Sequence, residues 1–190
     1  MQLVEDSKFE LINKVKINKI FGGRKMSERI DTTQYTRDEL VEKMRKDSEE
    51  LFASGTFFCS EAVVTVINNY LGQPYHPDVV KMASGFPIGM GKAGCLCGAV
   101  SGGQMALGIV YGRTQGEEMQ EKMFEESKGL HDHVIKDYGS CCCRVMTRQW
   151  KGDEFKSPER KKHCIAITGN VTQYVAERLI DENKIPCKSE

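Results

Sequence analysis

Apolar residues recur along this chain at intervals of three and four, which is the period of an α-helix rather than of a strand. Residues 36–55 form one such segment, and Thr36 followed by Glu39 has the spacing of a capping box at its start. Residues 59–72 are more apolar and end in a glycine, which predicts a buried helix. Ser-Pro at residue 158 restarts the pattern for a last long helix. Helices with short loops predict an all-α, bundle-like domain of five to seven helices.

The most unusual stretch covers residues 85–112, where a glycine-rich loop leads into a central buried helix near Cys95 and Cys97. Gly98 and Gly102 lie four residues apart on one helix face, which lets another helix or a cofactor approach the backbone. The first turn of a helix has unpaired N–H groups and a partial positive charge, so a thiol there is predicted to be biased towards thiolate. We expect the chemistry at this junction.

We expect three parts in the chain: an N-terminal arm over residues 1–35, a cysteine-rich helical domain over residues 36–184 and a frayed tail over residues 185–190. The arm has an amphipathic stripe among lysines, which is typical of a solvated arm or of a helix that packs in a homodimer. Within the domain, a polar helix is predicted over residues 114–138, and Ser140 is the candidate N-cap of the next helix.

Charge and hydropathy exclude several classes of partner. The 190 residues include 27 basic and 27 acidic side chains, so no net charge attracts the chain to nucleic acid or to an anionic membrane. No apolar run is long enough to span a bilayer, which predicts no membrane insertion. The first residues lack the basic and then apolar layout of a signal peptide, and we therefore expect a cytoplasmic location.

The eight cysteines are the outlier in composition. In a secreted protein they would indicate a disulfide framework, whereas in a reducing cytosol they favour metal or redox chemistry. No Cys-x-x-Cys pair occurs, which removes the commonest zinc-ribbon and thioredoxin-like signatures. If the helix starts near these cysteines converge, the resulting pocket suits an iron–sulfur cluster or, equally, a pair of exchanging dithiols. Seven of the cysteines lie in four segments: Cys59, Cys95 and Cys97, Cys141 to Cys143, and Cys164.

The surroundings of four cysteines carry a family resemblance. The segments are Phe-Cys59-Ser-Glu-Ala, Cys97-Gly-Ala-Val-Ser-Gly102, Gly-Ser-Cys-Cys-Cys143-Arg144 and Lys-His-Cys164-Ile. Over roughly residues 40 to 180 the chain resembles the redox-active proteins named for their C_GCAxxG_C_C cysteine pattern. That family is in turn similar to the non-haem part of split-Soret cytochromes, which carries an iron–sulfur cluster.

The resemblance implies an iron–sulfur cluster, of undetermined type, held by Cys59, Cys97, Cys143 and Cys164. Cys95 and Cys142 are possible substitutes as ligands, because each lies close to a matched cysteine. The additional Cys141 and Cys187 have no role that the pattern assigns. The residues expected around the cofactor are Gly94, Gly98, Gly102 and Arg144, the last because a guanidinium balances the negative charge of a cluster.

These observations predict an electron-transfer protein that works with a redox partner protein. One alternative is a metal-free thiol–disulfide oxidoreductase in which Cys97 attacks and Cys95 or Cys143 resolves. Another is a structural zinc site in an interaction module. An oxidoreductase activity is left open by the sequence, and no substrate is indicated.

Overall fold

The computed structural model describes residues 29–116, 118 and 121–189, and these residues form helices and no strands. The three short 3-10 helices among them are Thr32–Gln34, Pro77–Ala83 and Gly152–Lys156. The α-helices of the described residues are α1 (Arg37–Ala53), α2 (Cys59–Tyr70), α3 (Pro87–Met90), α4 (Gly98–Tyr111), α5 (Glu121–Tyr138), α6 (Cys143–Met146) and α7 (Pro158–Asp181). The prediction of an all-α domain with five to seven helices is confirmed for this part of the chain.

The longest helix, α7, lies at the centre of the domain, and α1, α2, α4 and α5 all pack against it. Its start follows the predicted Ser-Pro signal: Ser157 is the N-cap, its side chain accepts a hydrogen bond from the N–H of Arg160, and Pro158 occupies the first turn. Val171 and Val175 of α7 are fully buried. The core is therefore built around α7, with other helices covering it.

The capping box at the start of α1 is present as predicted. The backbone N–H of Thr36 donates to the Glu39 carboxylate at 2.9 Å, and the Thr36 side chain accepts from the N–H of Glu39. Such a cap stabilises a helix by about 1 kcal/mol. Leu40 and Met44, on the predicted apolar face, are fully buried. The helix ends at Ala53 with Ser54 as its C-cap, and the following Gly55 has a φ of +78°, a conformation that favours glycine.

Helices α2 and α4 are in close contact because α4 carries glycine on the contact face. A Cβ placed on Gly102 would lie 2.6 Å from the carbonyl oxygen of Ser60, which is backbone and has no room to move. The side chain of Ser60 is itself buried and donates to the carbonyl of Ala83 at 2.9 Å. The close approach predicted for the glycine face of α4 is thus used by α2.

The sequence predicts an arm before the domain and a frayed tail after it. Residues 1–28 of the predicted arm lie outside the described residues. The tail was expected to be frayed, and this is wrong: Ile185 is fully buried in the core, and the N–H of Lys188 donates to the carbonyl of Tyr35 at 2.8 Å. A buried apolar side chain and a hydrogen bond to residue 35 hold the tail in place.

Two local predictions also need correction. The described part of the polar helix starts at Glu121 rather than at residue 114, because Gln115 and Gly116 form a turn with positive φ values of 46° and 78°. Ser140 does not cap the next helix; its side chain accepts from the N–H of Cys142, and Cys142 is the N-cap. A turn is present at Ser140, but the helix begins two residues later than predicted.

The apolar stretch of α4 has 14 residues, against the roughly 20 needed to span a bilayer. No helix in the described part of the chain is both long enough and apolar enough to cross a membrane.

Candidate functional site

Four cysteines from four helices line one cavity of about 440 Å³. Cys59 is the first residue of α2, Cys97 is the N-cap of α4, and Cys143 is the first residue of α6. Cys164 lies in the second turn of α7. These are the four cysteines that the family resemblance singled out, and the fold brings them together from distant parts of the sequence.

The four side chains surround the cavity and do not meet at one point. Among residues 29–116, 118 and 121–189, no three side chains of His, Cys, Asp or Glu lie close enough together to hold one metal ion. Gly98 keeps α4 next to Cys59, since a Cβ on Gly98 would lie 2.5 Å from the Cys59 Sγ and 3.1 Å from the carbonyl oxygen of Phe86. Glycine at this position therefore sets how closely Cys59 approaches α4.

The charged residues that line the cavity are cations, and none of the described lining residues is an aspartate or a glutamate. Arg160 is the most tightly held: its guanidinium lies 3.7 Å from the centroid of the Phe155 ring and donates to the Phe155 carbonyl at 3.1 Å. Its Nε is buried and has no hydrogen-bond partner. This cavity is suited to an anionic occupant. The lining cations are Lys92, Lys156, Arg160 and Lys161.

Burial controls the protonation of three thiols at the cavity, those of Cys59, Cys97 and Cys164. It raises the pKa of Cys59 to about 11 and raises the pKa of Cys97 and of Cys164 above the ordinary value for a thiol. The prediction that the helix starts bias Cys59 and Cys97 towards thiolate is therefore wrong, because desolvation outweighs the helix N-terminus. In the metal-free protein these thiols keep their protons at neutral pH.

Backbone N–H groups nevertheless act on two of the sulfurs. The N–H of Ser60 and that of Ile88 oppose the rise in the pKa of Cys59, and those of Val100 and Ala99 oppose the rise in the pKa of Cys97. Three of these residues are in the first turn of α2 or α4, where N–H groups have no partner within the helix. The helix starts thus provide N–H donors at the cavity, as the sequence predicted.

The sequence pattern did not point to most of the other lining residues. Arg160 precedes Cys164 by four positions in α7 and so shares its helix face, a spacing that could have identified it. Lys92 and Phe155 come from loops or a 3-10 helix, where no periodicity indicates direction. The apolar lining consists of Phe52, Phe58, Ile88, Ala99, Met146, Phe155 and Ile167.

Only one of the four residues expected to contact the cofactor lines this cavity, and it is Gly98. Gly102 packs against the backbone of Ser60 and is not among the cavity-lining residues. Gly94 packs against the side chain of Arg144, whose Cβ would lie 3.1 Å from a Cβ on Gly94. Arg144 is exposed, and its backbone N–H donates to the carbonyl of Gly94 at 2.9 Å. Arg144 therefore joins the glycine loop to α6 and leaves Arg160 as the guanidinium at the cavity.

The remaining cysteines do not line the cavity. Cys95 and Cys142 lie against each other, with 2.6 Å between their Sγ atoms, and both are partly exposed. Cys141 is buried, and its thiol points at the carbonyl of His131 at 3.8 Å. Cys187 packs against the edge of the core. The substitutes considered for the ligand set thus form a contact of their own.

All four cavity cysteines lie in a region that matches one protein family. The match covers residues 57–178, more than half of the chain, and the family is described as "Putative redox-active protein (C_GCAxxG_C_C)". The chain belongs to this family. No curated protein and no solved structure gives a significant match. Membership of the C_GCAxxG_C_C family supports a redox-active role for the protein, and the four cysteines that the sequence resemblance singled out all line the cavity.

Proposed function

We propose that this C_GCAxxG_C_C protein binds an iron–sulfur cluster through Cys59, Cys97, Cys143 and Cys164 and transfers electrons to and from a redox partner protein. The observation that carries the proposal is that these four thiols line one cavity of about 440 Å³. In a cluster each iron takes its own thiolates, so the ligand sulfurs surround the group instead of converging on one ion. When bound, the cluster would supply one-electron chemistry.

The surroundings of the thiols fit the charge of such a group. Four thiolates with a cluster carry net negative charge, and the cavity is lined by lysines and Arg160 with no acidic side chain among the described lining residues. The buried Nε of Arg160 has no partner within the protein and is available to an anion. The N–H groups near Cys59 and Cys97 would serve as hydrogen-bond donors to the sulfurs of a cluster, and such bonds tune a cluster's reduction potential.

The two alternatives have less support from this geometry. A metal-free oxidoreductase with Cys97 as the attacking thiol needs that thiol to be accessible, and Cys97 is only 7% exposed. A structural zinc site needs ligands that converge on one ion, and no described group of three does so. Both alternatives remain as outcomes of the test.

The test is to produce the full chain without oxygen and to measure iron, acid-labile sulfide and sulfur-to-iron absorption. We expect coloured protein that contains near-stoichiometric iron and sulfide and that loses part of its visible absorption on reduction. Zinc without a redox response would support the structural site instead. Colourless, metal-free protein from such a preparation, even after chemical reconstitution with iron and sulfide, would overturn the proposal.

The ligands are assigned with single Cys→Ser variants. Cys59→Ser, Cys97→Ser, Cys143→Ser and Cys164→Ser should each lose most of the bound iron. Cys187→Ser is the matched control, since Cys187 lies outside the cavity, and it should keep its iron. Circular dichroism of the metal-free variants separates loss of a ligand from loss of the fold. Equal iron content in Cys97→Ser and Cys187→Ser would rule out the assignment of Cys97.

A further inference from the structure

The contact between Cys95 and Cys142 is a second thiol centre, separate from the cavity. Their Sγ atoms are 2.6 Å apart, closer than two unbonded sulfur atoms approach and within a small shift of the roughly 2.0 Å of a disulfide bond. Both residues are partly exposed, whereas Cys97 and Cys143 beside them in sequence are buried. Neither Cys95 nor Cys142 lines the four-cysteine cavity.

Backbone hydrogen bonds on both sides hold this contact in register. The N–H of Cys97 donates to the carbonyl of Cys141 at 2.8 Å, and the N–H of Arg144 donates to the carbonyl of Gly94 at 2.9 Å. The two segments therefore run side by side, and the paired cysteines lie between the two hydrogen bonds. The alignment depends on the backbone as well as on side-chain torsions, so the two thiols are preorganised to meet.

We propose that Cys95 and Cys142 form a reversible disulfide that acts as a redox switch at the side of the cavity. The oxidant is a low-molecular-weight disulfide, of which oxidised glutathione is the probe. One cysteine thiolate attacks a sulfur of that disulfide and releases one small thiolate. The second cysteine thiolate then attacks the mixed disulfide and releases the other. The two cysteines lose two electrons and two protons, and the small disulfide becomes two thiols.

This inference does not rest on the iron–sulfur proposal, because it uses thiols outside the cavity. It also differs from the alternative that the sequence left open, in which Cys97 attacks and Cys95 or Cys143 resolves the disulfide. The bond would tie the segment before α4 to the segment before α6. Cys97 comes two residues after Cys95, and Cys143 directly follows Cys142. Both Cys97 and Cys143 line the cavity, so oxidation fixes the positions of two of the four proposed ligands.

The experiment equilibrates the full chain with oxidised and reduced glutathione at several ratios, blocks free thiols with iodoacetamide in acid-quenched samples, and maps disulfides by mass spectrometry. We expect one dominant disulfide that opens again as the reduced fraction rises. Trypsin leaves Cys95 with Cys97 in one peptide and Cys141 with Cys142 and Cys143 in another, so the peptide map has to be combined with variants. Cys95→Ser and Cys142→Ser should each abolish the disulfide.

Controls distinguish this pair from its neighbours. Cys141→Ser and Cys187→Ser should keep the disulfide, and Cys97→Ser should keep it even where bound iron is lost. Persistence of the disulfide in Cys95→Ser, its loss in Cys141→Ser, or the absence of any reversible disulfide at all glutathione ratios overturns the inference. Iron content decides the remaining case. Loss of iron in Cys95→Ser or Cys142→Ser would make these residues ligands and overturn the inference, while the proposal that the protein binds a cluster would stand.

Discussion

The cavity cysteines and the Cys95–Cys142 pair are neighbours in sequence and differ in their surroundings. Cys95 precedes Cys97 by two residues, and Cys142 directly precedes Cys143. Cys97 and Cys143 are each 7% exposed and face a cavity with cations around it. Cys95 and Cys142 are partly exposed and face each other across two hydrogen-bonded segments.

The difference shows that environment decides what a thiol can do. Neighbouring residues in a turn point in different directions, so each of the two segments supplies one thiol to the cavity and another to the pair. The buried thiols of Cys59 and Cys97, whose pKa is raised by burial, suit a metal that displaces the proton, whereas an accessible pair in contact suits exchange. One cysteine-rich motif can therefore serve two kinds of redox chemistry.

The largest expected effect concerns the reactivity of Cys59 in metal-free protein. With its pKa raised to about 11, the thiolate fraction at pH 8 is on the order of 200-fold below that of an ordinary thiol near pKa 8.5. Alkylation by iodoacetamide should be slower by about that factor and should accelerate as pH rises towards 11. Peptide 47–81 contains no other cysteine, so mass spectrometry can follow Cys59 alone.

Urea-unfolded protein is the reference for this rate, since unfolding removes the burial that raises the pKa. An equal alkylation rate for Cys59 in the folded and unfolded chains would mean that the cavity does not desolvate its thiols, and the contrast with the exposed pair would be lost.

The next effect is on packing at the cavity. Gly98→Ala places a methyl group 2.5 Å from the Cys59 Sγ, and we expect it to lower the free energy of unfolding by about 1–3 kcal/mol and to reduce iron binding. Gly108→Ala in the same helix is the matched control, because nothing lies within 4 Å of its added Cβ. That variant should be neutral or stabilising by up to about 1 kcal/mol.

Urea denaturation of the metal-free variants measures both changes. If the two substitutions shift the unfolding midpoint equally, the close contact between α4 and Cys59 has no energetic weight. Iron binding would then have to be explained without it.

The smallest effect tests the charge at the cavity. Arg160→Gln removes a positive charge from the cavity lining. The loss of this charge favours the oxidised state of a cluster, which is more positively charged than the reduced state. We expect the reduction potential of the iron-loaded protein to fall by about 50 mV, which corresponds to about 1 kcal/mol for a one-electron couple. Lys162→Gln is the control, because Lys162 is exposed and is not among the cavity-lining residues.

A spectroscopic redox titration gives both potentials under the same conditions. An unchanged or higher potential in Arg160→Gln would place the redox group away from Arg160, and the assignment of the cavity as its site would need revision.

The sequence correctly predicts several helix starts, which depend on residues a few positions apart. Two examples are the capping box of Thr36 and Glu39 and the N-cap at Ser157. Each depends on hydrogen bonds between residues three positions apart, a spacing that the sequence displays directly. The tail was mispredicted because its order depends on a surface from another part of the chain: Ile185 enters the core, and Lys188 bonds to Tyr35. Polar, terminal sequence alone does not reveal such a partner.

The sequence by itself determined that the protein is helical, which cysteines have family surroundings, and that several of them begin helices. The tertiary structure decided which thiols share a cavity, that Arg160 rather than Arg144 is the guanidinium there, and that Cys95 meets Cys142. It also reversed the expected thiolate character of Cys59 and Cys97. The physical reason is range: helix caps and periodicity act over a few residues, whereas burial and contact between sulfurs depend on atoms that only the folded chain brings together.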